Sequence, residues 1–202
     1  MSMHGSETNQ HNKQDQQHDD HGKQMRNMYL RFGAMIATAM FVMYWVMYVG
    51  TWRWDHVTFS ESRVFMAITM GGAMGLVMLG WMLNMYKNTK VNIGILAASV
   101  LLLASGTFLD RSQATVDDSG WMSAMIPHHS LAITRSARAD IDDIRVCQLA
   151  AAIIEAQKKE IREMQWLLED IEENGEALTA AEAEQRQVPE FEASDLRNCG
   201  GQ

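Results

Sequence analysis

The 202-residue chain holds only two cysteines, Cys147 and Cys199. No Cys-x-x-Cys pair or Cys/His finger spacing occurs, which argues against a structural zinc site. The two can pair in an oxidising compartment, a point the sequence leaves open. Also missing are a nucleotide loop, a Gly-x-Ser-x-Gly elbow, a zincin motif and the Glu-x-x-His pairs of di-iron bundles. A catalyst is therefore not expected. Positive charge is scarce late in the chain: residues 110–202 carry 9 of the 17 Lys and Arg but 19 of the 25 Asp and Glu. That balance argues against nucleic acid as a partner, and a solvated helix face explains most of the carboxylates.

Three long stretches lack acids altogether. Residues 30–50, 64–86 and 91–109 are mostly apolar and contain neither an acidic residue nor an internal Lys. At 1.5 Å per residue, about twenty residues cross the roughly 30 Å hydrocarbon core of a bilayer. Three transmembrane helices within residues 29–110 are expected, with membrane lipid as a partner. The first run begins too late and extends too far for a cleaved signal peptide, so it is read as retained. Lys13, Lys23, Arg26, Arg31, Lys87 and Lys90 fall on one side; Arg53, Arg63 and Arg111 fall on the other. The positive-inside rule then places the N-terminus in the cytoplasm and the C-terminal part outside it.

Methionine is the abundant residue, 17 in all. Met66, Met70, Met74, Met78 and Met82 recur at i+4 along the second span, and Gly71 and Gly75 form a Gly-x-x-x-Gly pair that lets helices approach closely. The reading preferred here is a flexible apolar filler at a helix seam. Residues 1–28, rich in Gln, Asp and His, are expected to be disordered. His4, His11, His18 and His21 there are either polar filler or loose metal ligands.

Beyond Asp110 the pattern is a helical hairpin over 111–175, followed by a polar tail, 176–202. Asp117, Asp118 and Ser119 are N-cap candidates for a first helix ending near Ala139. Pro127 inside it leaves the Ser123 carbonyl without its helical donor and predicts a kink. Asp143 caps a second helix, which Asn174-Gly175 stops. Its apolar seam reads Val146, Leu149, Ala150, Ile153, Ile161, Met164 and Leu168. Gln157 and Glu160 lie along that seam, where polar groups need partners. A short helix over 179–187 is expected in the tail.

On the first hairpin helix, Met122, Met125 and His129 fall within a 60° arc at 100° per residue, with His128 bordering it. Counting residues through the turn sets Met164 level with Met122 and Gln157 nearest His129. Thioethers beside imidazoles form the donor set that a soft late transition metal prefers, Cu(I) above all. A two-helix hairpin buries little by itself. It is expected to pair with a second copy as a homodimeric four-helix bundle, or to pack on its own flanking segments.

Met125-Ile-Pro-His128-His129-Ser130, followed by Gln157-Lys-Lys-Glu160-Ile-Arg-Glu-Met164, resembles the bacterial family called domain of unknown function 305, closely over residues 120–170. The resemblance implies a ferritin-like helical bundle and, for some relatives, periplasmic binding of copper or silver. Carried over, the matched positions are Met125, His128, His129 and Met164, with Met122 a local addition and Gln157 and Glu160 behind them. The expectation is an all-α protein with three transmembrane helices followed by a ferritin-like hairpin. It would be a non-enzymatic Cu(I) or Ag(I) binder, anchored in a bacterial plasma membrane with the hairpin exported. The competing expectation is a helical dimerisation or sensor module of the cell envelope that needs no metal.

Overall fold

A computed structural model describes residues 5–194 and 197–199, with side chains from Gly22 onward. Among the described residues it is all-helical: α1 Gly5–Val46, α2 Glu61–Met82, α3 Thr89–Ser112, α4 Asp118–Arg138, α5 Ile144–Asn174 and α6 Ala180–Gln185, with one 3-10 turn at Trp54–His56. Helix α1 takes in the tail backbone from Gly5 that composition marked for disorder. No proline interrupts it, and extending a helix from a formed span costs far less than nucleating one. The four tail histidines lie outside the residues whose side chains are described.

The chain divides into two compact units. The first runs to Met43 and resumes over Ala67–Thr107. Its α1, α2 and α3 segments belong to helices long and apolar enough to cross a membrane. Its core gathers Phe32, Leu79 and Tyr86, with Met78 and Met82 packed against them. The methionine stripe thus fills a helix seam at that end. Small residues set the spacing: Met40 Sδ of α1 lies against Gly71, and a Cβ on Gly72 would meet the Leu103 backbone nitrogen of α3 at 2.5 Å. Tyr29 Oη donates to Asn92 Oδ1 (2.9 Å), and Asn92 Nδ2 donates to the Tyr86 carbonyl (2.7 Å).

The second unit comprises Tyr44–Met66 and Phe108–Gln202, and its centre is the α4–α5 hairpin. The helix ends follow their local chemistry. Asp117 Oδ1 accepts from the Gly120 amide and Asp143 Oδ1 from the Arg145 amide. Gly175 ends α5 at φ +77°, and Thr179 with Glu182 forms a capping box on α6. Met122, Ile126, Ile133, Ile154, Ile161 and Met164 make the buried core, each contributing about 1.5–3 kcal/mol if fully removed from water.

One part of the expected seam is corrected. Val146 and Leu149 are 48% and 61% exposed, while Cys147, Ala150 and Ile154 are the buried residues at that end of α5. Both stripes satisfy a helical period. The buried stripe is the one that packs Ile154 into the α4–α5 core and carries Cys147 into its disulfide with Cys199.

The hairpin is clad by its own flanks. Along α5, Lys158 and Arg162 donate to the carbonyls of Ser194 and Glu192. Arg197 Nη1 then reaches the Ser136 and Ala139 carbonyls at the end of α4 (2.7 and 3.0 Å). Nearer the turn after α5, Arg186 pairs with Asp170 at 2.7 Å. The polar tail is therefore a strap across the hairpin.

Candidate metal site on the hairpin

Helix α4 continues through Pro127, and the carbonyl this proline strands is not left bare. Thr58 Oγ1, from the segment between α1 and α2, donates to Ser123 O at 2.6 Å. The same segment meets the helix again about two turns on. Ser130 is fully buried; its Oγ accepts from the Trp52 amide at 2.7 Å and lies 2.8 Å from His56 Nδ1. Gly50 backs directly onto Leu131. These contacts clamp α4 on either side of His128 and His129.

The sequence-derived site residues separate by environment. Met122 and Met164 are buried together in the hairpin core, and Met125, half-buried, packs against it. His129 turns toward α5 with its side chain 13% exposed, its Nδ1 standing 3.0 Å from Glu160 Oε2. That pair has the distance of an ion pair but lacks the direction of a hydrogen bond, so the buried nitrogen has no hydrogen-bond partner. Gln157 Nε2 donates to the same Glu160 oxygen at 3.2 Å. Facing His129 is therefore Glu160, one turn beyond the Gln157 that residue counting indicates, with Gln157 joined to it. His128 is exposed, its ring centre 6.0 Å from that of His129.

Burial pushes the His129 imidazole below its usual pKa; the Glu160 carboxylate opposes this and His128 adds to it. A neutral ring is the form that can act as a metal ligand. Among the described residues, no three His, Cys, Asp or Glu side chains gather closely enough to hold a metal ion.

Sequence reasoning did not reach Trp52, His56 and Thr58. Their partners lie 65–78 positions away, and a non-helical segment carries no periodicity to betray them. The one available signal was the Ser123 carbonyl itself, which called for a donor without naming it.

A family model described as Domain of unknown function (DUF305) matches residues 118–196, from the start of α4 into the strap. An uncharacterized protein of Acanthamoeba polyphaga mimivirus is 38% identical over 104 residues, which cover 48% of this chain and 68% of the viral one. No solved structure matches. With its hairpin and most of the strap inside the matched region, this chain belongs to the family Domain of unknown function (DUF305).

Proposed function

We propose that this chain is a membrane-anchored, non-enzymatic protein that binds Cu(I), and Ag(I) as its close analogue, on an exported hairpin for copper handling or tolerance. The observation that carries the reading is the gathering of Met122, Met125 and Met164 at the α4–α5 interface, with His129 turned toward α5 on the same helix. Thioether sulfur with neutral imidazole suits a soft monovalent ion and needs little deprotonation near neutral pH. Glu160 stands beside Nδ1, which leaves Nε2 as the nitrogen for a ligand. His128, being exposed, contributes only if a second chain or a rotamer change brings it in. The disulfide and the charge asymmetry about the spans support an oxidising, exported setting.

The test is a competition titration of the full chain in detergent against a chromophoric Cu(I) chelator. Met125→Leu with His129→Ala should weaken Cu(I) binding at least tenfold, about 1.4 kcal/mol. Met→Leu nearly conserves volume, so the fold should persist. Unchanged affinity in the double variant counts against the proposal.

A metal-free dimerisation module is the second reading. It is favoured by Ile144, Val146 and Leu149, which expose 59%, 48% and 61% of their surface near one end of α5. Sedimentation with and without chelator separates the two readings: self-association indifferent to metal and abolished by Leu149→Glu supports the module.

A further inference from the structure

An open, largely apolar groove of about 600 Å³ runs between α2 and α3 within the first unit. That volume falls in the ~300–1,000 Å³ range of small-molecule sites. Leu76, Leu79 and Gly80 form its wall on α2, and Ile93 and Leu96 its wall on α3. Gly80 is a notch in that wall, since a Cβ there would meet no atom within 4 Å.

The groove is polar at one end only. Lys87, in the short connection between the two helices, and Thr89, the first residue of α3, close it there, and Lys90 follows in sequence. No acidic residue occurs from Ser62 to Leu109, so nothing nearby in the sequence neutralises these lysines. Trp81, 86% exposed, stands at the same end of α2. An exposed Trp at the end of an apolar helix marks the depth of lipid headgroups. Apolar walls, a cationic end and an interfacial tryptophan describe an amphiphile with a negative head.

We propose that this groove holds an anionic phospholipid, its upper acyl chain along the Gly80 notch and its phosphate at Lys87 and Lys90. The inference rests on reading α2 and α3 as membrane spans. It does not depend on the hairpin or on copper. Leu76 to Leu83 covers about 10 Å at helical rise, enough for the glycerol region and the first part of one chain. The cytoplasmic leaflet of a membrane carries anionic lipid, which a cationic loop on that side would meet.

The experiment is native mass spectrometry of the full chain released from micelles containing equal phosphatidylglycerol and phosphatidylcholine. Wild type should retain phosphatidylglycerol at least fivefold over phosphatidylcholine. Gly80→Leu, whose Cβ meets no other atom and whose side chain fills the notch, should lose most bound lipid. The Lys87→Gln/Lys90→Gln variant should keep lipid but lose the headgroup preference. Equal retention of the two lipids by wild type, or retention unchanged in Gly80→Leu, overturns the proposal. Displacement by free glycerol phosphate as effective as by phosphatidylglycerol also overturns it, since the apolar groove would then play no part. Release of the protein from membranes by alkaline carbonate would instead refute the spanning reading itself.

Discussion

Ser130 is where the chemistry of single residues is most tightly drawn. Its hydroxyl serves the Trp52 amide and His56 Nδ1 together, at full burial. Ser130→Ala leaves two polar groups of the clamping segment without a partner and should cost about 1–3 kcal/mol, read as a lower melting temperature of the detergent-solubilised chain. His56 makes that temperature depend on pH. Burial pushes its imidazole below the usual value of about 6.5, with the Asp55 carboxylate opposing and Arg53 assisting. The unfolded chain then binds a proton that the folded chain refuses, so stability is intact above pH ~6.5 and falls as pH drops through it. His129, shifted in the same direction, steepens the loss. Melting scans between pH 8 and pH 5 should show this slope, flattened in His56→Asn. An unaltered slope in that variant removes His56 from the account.

At the scale of elements, what was legible in the sequence was what neighbouring residues decide. Asp117, Asp143, Thr179 and Gly175 delimit α4, α5 and α6 as their cap chemistry requires, and the apolar runs without acids became α2, α3 and the later part of α1. Distant partners were not legible. Val146 and Leu149 fit the helical period as well as Cys147 and Ile154, and it is packing against α4 together with a bond to Cys199, 52 positions on, that distinguishes the two faces. The Thr58 hydroxyl that completes α4 at Pro127 is likewise 65 positions from its carbonyl. Closing the Cys147–Cys199 loop, 52 positions long, should be worth up to about 4 kcal/mol through the unfolded chain. Cys147→Ser with Cys199→Ser should therefore lower the melting temperature and expose the strap after residue 186 to limited proteolysis. Equal protease resistance would show that Lys158, Arg162 and Arg197 hold the strap without the disulfide. Between α2 and α3 the prediction is steric. Gly72→Ala drives a methyl into the Leu103 backbone, which cannot yield as a side chain can, and should cost about 1–3 kcal/mol, whereas Gly80→Ala should be neutral.

Across the whole molecule, the sequence divides into two compact units. One supplies segments of three helices long enough to cross a membrane; the other builds a hairpin clad by the α1–α2 connection and by the strap. The family match covers the hairpin and most of the strap but not Trp52, His56 or Thr58. A fragment beginning at Asp110 would lack those clamping residues, so function is best measured on the full chain. In the proposed function, thioethers and one imidazole of the hairpin capture a soft ion. X-ray absorption at the copper edge, on full-length protein loaded anaerobically with one equivalent of Cu(I), tests it most directly. The first coordination sphere should contain both sulfur and imidazole nitrogen, with the sulfur signal reduced by Met125→Leu. A sphere of nitrogen and oxygen alone, or copper lost on desalting, would contradict it.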